Sequence, residues 1–371
     1  MSKFAYYIIY FLVAISLLLI NKKSHLEFVL TVICVYFLGS LRASFGADYF
    51  AYKSIYEGIT TTGGSLFLAN EPLYYLYNQF SVFLGFDYYG FIALNTLLLL
   101  GFIIAWIFSS SIKPNYSFFV YFSFFFLVWN LSTFRQAMAL SLGVLLLYNK
   151  HLSLHLLIKL FIVPILAMFH ISALFFGVLL VFGSIPWKWY YHVIFLVIGL
   201  LFTLFPTQSI LASIINNSSM DIVINIGKIR YYFNGMVFSN GFLNINAFMR
   251  LFFFGLIWVH YEYLSRTKYL KRMTDIFLVG MSLYFFLSFN ALFASRLTIY
   301  ALFLLVILLP EILSYYEDKQ KWKRVLAMSV FISLCTFMYF KDLYAIKEQL
   351  GIDDGKWYVE YRSIFDQPIK E

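Results

Sequence analysis

The sequence predicts an all-α polytopic integral membrane protein of about twelve transmembrane helices, within bounds of about ten and fourteen. Three observations predict it. Of 371 residues, 62% are hydrophobic and only 12% charged, against about 45–50% and about 25% in soluble domains. The apolar residues gather in runs close to the roughly 20 needed to cross a bilayer. The basic residues sit mostly between those runs, so the net charge of +9 reads as topogenic charge, not as a nucleic-acid surface. Lipid must be the solvent for most of the chain. This excludes a soluble enzyme, a disordered chain and a nucleic-acid-binding domain.

Taken in order, the apolar runs are 4–21, 26–41, 90–109, 116–133, 136–149, 189–206, 245–264, 274–291, 297–314 and 325–340. The first reads as a membrane anchor, because Lys22-Lys23 follow it in place of a small-residue cleavage site. Two stretches are ambiguous. Residues 72–86 are apolar but enter on Pro72 and carry Asn78 and Gln79, and 152–185 is too long for one relaxed helix and short for two. Charge arbitrates. Lys22, Lys23, Lys113, Lys150, Lys159, Lys188, Arg266, Lys268, Lys271, Arg272, Lys319, Lys321, Lys323 and Arg324 all share one side under one condition. Residues 72–86 must not cross, and 152–185 must cross twice with a break near His170. That side is then cytoplasmic, and both termini lie outside. The result is a single helical membrane domain, 1–371, with outer-face loops 42–72 and 207–244 and an outer-face tail 341–371. Ile222, Val223 and Ile224 suggest that loop 207–244 lies partly on the membrane.

Ionisable groups in or beside a span are costly, which makes them functional candidates. The outer rim holds Arg42, Asp48, Glu71, Arg135, His170, Arg230, Arg250 and Arg296. Four of the nine arginines, Arg42, Arg135, Arg230 and Arg296, fall where positive charge is disfavoured. Guanidinium matches phosphate oxygens with paired hydrogen bonds, so the set suits a pyrophosphate at headgroup level. The alternatives are pairing with Asp48 or Glu71, or snorkelling to headgroups. Arg135 follows Asn130-Leu-Ser-Thr-Phe134 and opens a helix, whose N-terminal dipole and N–H groups favour an anion. The plainer reading is a helix start capped by Ser132 or Thr133.

His170 is one imidazole where an apolar stretch turns, either a base near neutral pH or a satisfied buried side chain. Ser172 has no neighbouring acid to complete a triad. Tyr49, Tyr52 and Tyr56 share one helix face close to Asp48. That face suits sugar rings, or the aromatic belt of any membrane protein. Cys34 and Cys335 lie inside apolar runs and imply neither a disulfide framework nor a metal site. His151 and His155 lack a third ligand. There is no HExxH, no Asp-x-Asp pair, no Walker loop and no Gly-rich nucleotide fingerprint. No cofactor, metal or nucleic acid is expected.

These residues carry a resemblance to the EpsG/Wzy group of bacterial polysaccharide polymerases, whose products include O-antigen, capsule and exopolysaccharide. In the first outer loop the match is Arg42, Asp48-Tyr49-x-x-Tyr52 and Glu71-Pro72-Leu-Tyr74. Phe134-Arg135-Gln136-x-Met-Ala139 opens a span, Ala167-Met-Phe-His170-Ile-Ser172-Ala173-Leu ends another, and Arg296-Leu-Thr-Ile-Tyr300 begins a late one. Tyr361-Arg-Ser363-Ile-Phe365 is a fifth patch in the tail. Each is short, and the resemblance lies in their order, spacing and shared sidedness.

The resemblance implies a GT-C-like helical arrangement and a glycosyl transfer at the outer face of the inner membrane. The donor and acceptor are oligosaccharides on undecaprenyl pyrophosphate. An acceptor hydroxyl attacks the anomeric carbon and lipid pyrophosphate leaves, with no metal required. On that reading Arg135 and Arg296 hold the pyrophosphate, with Arg42 and Arg230 as further candidates. His170 is the first candidate base and Asp48 the second, while Tyr49, Tyr52 and Glu71 contact sugar. Membrane lipid is a further partner, and whether a chain-length regulator binds is left open. Two alternatives stand beside it: a ligase that moves finished polysaccharide onto a lipid core, and a non-enzymatic transporter of lipid-linked oligosaccharide. Transport predicts a charged path or two related halves, and the sequence has no half-to-half similarity.

Overall fold

The computed structural model describes residues 4–19, 25–46, 48–62, 71–152, 154–204, 244–349 and 358–366. Among them the regular structure is helical, apart from an isolated antiparallel bridge between Arg42 and Ser363. The order is α1 (Ala5–Leu19), α2 (His25–Ser40), α3 (Tyr49–Thr62), α4 (Pro72–Phe83), α5 (Tyr88–Ser110) and α6 (Pro114–Tyr121). A π-helical stretch, Phe122–Asn130, continues α6. Then come α7 (Phe134–Leu147), α8 (Leu156–Ala167), a 3-10 turn (Ile171–Leu174), α9 (Phe175–Phe182) and α10 (Trp189–Phe202). The remainder is α11 (Ile245–Val259), α12 (Tyr261–Leu264), α13 (Lys268–Phe286), α14 (Ala291–Leu302), α15 (Leu305–Tyr315) and α16 (Lys321–Gln349).

This is a membrane protein. By length and composition α5 and α16 are each able to cross a bilayer, and α1, α2, α7, α8, α10 and α11 are shorter apolar helices. Large apolar side chains such as Phe11, Phe80, Leu157, Phe161 and Val259 are exposed, as a lipid-facing surface requires and a water-facing one penalises. Helix ends follow local chemistry. Asp87, Asn244, Thr267 and Asn290 each accept a backbone N–H from the first turn of the helix they precede. Pro72 and Pro114 occupy first-turn positions, where no donor is lost.

Several expectations meet the structure directly. The stretch 152–185 breaks at His170, between α8 and the 3-10 turn. The run 297–314 is divided instead of continuous, with α14 ending at Leu302 and α15 starting at Leu305. The first part of the tail 341–371 is helical: α16 continues through it to Gln349, with Leu343 and Ile346 buried. Loop 207–244, except Asn244, lies outside the described residues, as does Arg230.

The chain packs as two compact units, residues 1–173 with 305–371, and residues 174–304. In the first, α5 packs on α2 and α7, α7 on α8, and α16 on the π-helical stretch. Its interior is aromatic, with Tyr10, Phe122 and Tyr339 in mutual ring contact. The tail segment 358–366 returns to the end of α2. Ala43 N–H donates to Arg362 C=O at 2.8 Å and Ile364 N–H to Leu41 C=O at 2.9 Å. In the second unit α13 is central, against α9, α10, α11 and α14. A side chain at Gly280 would collide with Ala301, so the absent Cβ permits the close α13–α14 approach.

Candidate active site

The first unit gathers predicted residues from four separate stretches. Thr133 stands at the N-cap of α7, and its hydroxyl does not cap the helix. It donates back to Val128 C=O at 3.4 Å instead, and the Ser132 hydroxyl is buried without a partner. Neither serves as the expected cap. Arg135, in the first turn, donates from Nη1 to Glu71 Oε2 at 2.5 Å. Glu71 sits at the N-cap of α4, yet its side chain makes no cap there. The other carboxylate oxygen, Oε1, lies 3.9 Å from His170 Nε2. Leu73 N–H donates to Met168 C=O at 3.1 Å, which holds the start of α4 against the turn that carries His170. The three side chains are accessible in part, 28% for Arg135, 10% for Glu71 and 16% for His170.

The imidazole has a defined tautomer. Ser172 N–H donates to His170 Nδ1 at 3.3 Å, and Ser172 Oγ lies 2.6 Å from the same nitrogen. A backbone N–H cannot accept, so Nδ1 is the acceptor, and the hydrogen-bond pattern assigns the ring proton to Nε2, facing Glu71.

A chain of cation–ring and ring–ring contacts leads from Arg42 to Arg135. The Arg42 guanidinium lies 5.1 Å from the Phe134 ring centre, Phe134 stacks on Tyr52 at 4.9 Å, and the Arg135 guanidinium lies 5.5 Å from Tyr52 and 5.9 Å from Tyr74. Tyr52 also hydrogen-bonds Arg135, while burial pushes its phenol above the ordinary value and Arg135 opposes that shift. Such cation–ring contacts strengthen away from water.

The structure distributes the predicted residues unevenly. Tyr49, Tyr52 and Tyr56 do share one face of α3, but that face is buried, with Tyr49 and Tyr52 each 3% exposed among Tyr74, Tyr88, Phe91 and Phe134. Their rings are packed on protein and not presented to a sugar. Arg42 is completely buried. It donates to the carbonyls of Gly39 and of Leu131, the latter at 3.1 Å. Burial lowers its pKa and the nearby Tyr88 and Tyr6 phenols act the other way. Those two bonds brace the 131–134 turn, while the buried Arg42 Nε has no hydrogen-bond partner. Asp48 is half-buried and starts α3, its carbonyl accepting Tyr52 N–H at 3.0 Å.

Arg296 belongs to the second unit, on α14, where its side chain is partly exposed and has partners. In that unit Arg250 is buried against the Tyr284 ring at 4.0 Å, with Thr298 Oγ1 accepting from Nη2 at 3.3 Å. A cluster that the sequence reading missed lies there too. Asp275 Oδ1 is 2.9 Å from His192 Nε2 and accepts from Tyr261 at 2.8 Å, and Oδ2 accepts from Lys271 at 2.7 Å. His192 and Asp275 are both buried. Only the mixture of charges within apolar helices hinted at it, because Lys271 reads equally well as topogenic charge.

Comparison with curated proteins and with solved structures gives no match in either case. The family model described as EpsG family matches residues 25–352. That range takes in Arg42, the Glu71–Arg135–His170 constellation and Arg296, so the resemblance read from short patches extends over nearly the whole sequence, and the chain belongs to the EpsG family.

Proposed function

We propose that the protein is a polysaccharide polymerase that moves a growing glycan from undecaprenyl pyrophosphate onto the next lipid-linked repeat unit. Membership of the EpsG family supports a polymerase-type function in general. The observation that carries the specific reading is the Arg135 guanidinium, packed against two aromatic rings at the start of α7 and beside the Glu71–His170 pair. A departing diphosphate needs cationic donors already in place, since reorganising them during the reaction would cost rate. The α7 dipole adds positive potential at the same spot. The Glu71–His170 pair offers the proton exchange that an attacking hydroxyl needs.

The rest of the proposal follows from this chemistry. Arg296 supplies a second cation and Arg230 remains a third candidate. Tyr52 supports Arg135, and Glu71 and His170 face the sugar at the reacting centre. The transfer is driven by the sugar–pyrophosphate bond and calls for no nucleotide or metal. The reaction runs at the outer face of the bacterial inner membrane, in a twelve-span, GT-C-like arrangement, with lipopolysaccharide, capsule or exopolysaccharide as product class. The test is an alanine scan of Arg135, His170 and Arg296 with surface polysaccharide length as readout. Arg135→Ala and His170→Ala should leave single repeats, with Arg296→Ala intermediate or null. Long chains of normal length from all three would end the assignment.

A further inference from the structure

We infer that Glu71 is an internal stand-in for the substrate's diphosphate: it occupies Arg135 in the resting protein, is displaced when a diphosphate arrives, and then receives the proton of the attacking hydroxyl. The inference rests on the reading of the site as a lipid-diphosphate glycosyltransferase. Three observations support it. Glu71 leaves its own helix uncapped and turns its carboxylate onto Arg135 at 2.5 Å. Carboxylate and phosphate oxygens make the same charge-assisted bond to guanidinium, so they compete for it, and two anions on one cation repel. Next, Ser172 N–H on His170 Nδ1 leaves the ring proton on Nε2, 3.9 Å from Glu71 Oε1. In this tautomer His170 turns an N–H and not an acceptor towards Glu71, at a separation too long for a hydrogen bond in the resting protein. Finally, Leu73 N–H on Met168 C=O ties the backbone beside Glu71 to the turn beside His170. A Glu71 side chain released from Arg135 therefore rotates with His170 Nε2–H still in reach.

The step balances. The acceptor oxygen bonds to the anomeric carbon, the bond from that carbon to the diphosphate breaks with its electron pair passing to the phosphate oxygen, and the hydroxyl proton passes to Glu71. His170 Nε2–H orients the carboxylate as it accepts. When lipid diphosphate departs, Glu71 releases its proton to water and returns to Arg135. While the site is empty its proton acceptor is engaged, so activation of water or acceptor waits on the donor.

The experiment measures calorimetric binding of inorganic pyrophosphate to the full chain in nanodiscs, with surface chain length in complemented cells. Glu71→Gln should bind pyrophosphate about five- to tenfold more tightly, because an anionic competitor is gone, and should lose long chains. Glu71→Asp keeps a carboxylate on a shorter arm that releases Arg135 more readily, so it should bind more tightly and still make long chains. Long chains from Glu71→Gln, or pyrophosphate binding no tighter than wild type in both variants, would overturn the inference. If Glu71→Gln is not monodisperse, Glu71→Asp decides alone, with unchanged or weaker binding counting against. Failure of the underlying reading looks different: Arg135→Ala binds pyrophosphate as well as wild type, or the wild type binds none.

Discussion

At the scale of single residues, the site depends on how a cation is held ready without being neutralised for good. Arg135 has one carboxylate partner and two rings, and the rings supply attraction that no approaching anion can titrate away. Tyr52 does two separable things, stacking between Phe134 and Arg135 and hydrogen-bonding the guanidinium. Tyr52→Phe keeps the stack and loses the bond. It should cost about 1.5–3 kcal/mol of stability, as for a hydrogen bond to a charged group, with chain length moderately reduced. Tyr52→Ala empties a core position as well and should cost about 3–5 kcal/mol. Thermal unfolding of the detergent-purified variants beside chain-length profiles separates the two roles, and equal losses from both substitutions would refute the division. Arg135, Glu71 and His170 were legible in the sequence because charge is rare in so apolar a chain. Their pairing was not, since 64 positions separate Glu71 from Arg135. Nor was the burial of Arg42, which reads in sequence as an outer-loop cation and in the structure donates to two carbonyl groups.

At the scale of elements, the site is a junction of helix starts and turns, and the turns decide its geometry. The segment between α2 and α3 passes so close to the 131–132 turn that a Cβ at Gly46 would lie 2.6 Å from Leu131 O, and Gly46 has φ +113°. Both the space and the backbone angle require glycine there. Gly46→Ala should destabilise the first unit by about 1–3 kcal/mol and shift the Phe134–Arg135 step with it, so chain length should fall even though no charged group changes. An unchanged melting temperature together with full-length product would show that the close approach does not matter. Apolar runs of near-membrane length gave away most helices, and the break at His170 followed from a stretch too long for one helix and too short for two. The split at 303–304 carried no such signal. The continuation of α16 to Gln349 was hidden because polar residues entered the pattern there, while Leu343 and Ile346 kept the helix packed.

At the scale of the whole molecule, orientation decides whether the chemistry has a substrate at all. Fourteen lysines and arginines lie on one side of the predicted arrangement, and positive charge is retained in the cytoplasm. In that arrangement the Glu71–Arg135–His170 constellation would fall on the other side, where lipid-linked repeats would be met after export. Cys34 and Cys335 are both free, so a background with Cys34→Ala and Cys335→Ala leaves no native thiol. On it, Glu57→Cys at an exposed position of α3, and Lys268→Cys and Lys319→Cys at exposed positions flanking later helices, report sidedness through a membrane-impermeant maleimide applied to intact spheroplasts. Glu57→Cys should label at once, and the two lysine replacements only after the membrane is opened. The reverse pattern would place the Arg135 site in the cytoplasm. A carboxylate-guarded guanidinium there would meet nucleotides and free phosphate throughout the cell, and the release of Glu71 by one lipid diphosphate would lose its selectivity. The direction of the positive charge and the logic of the site therefore stand on the same measurement.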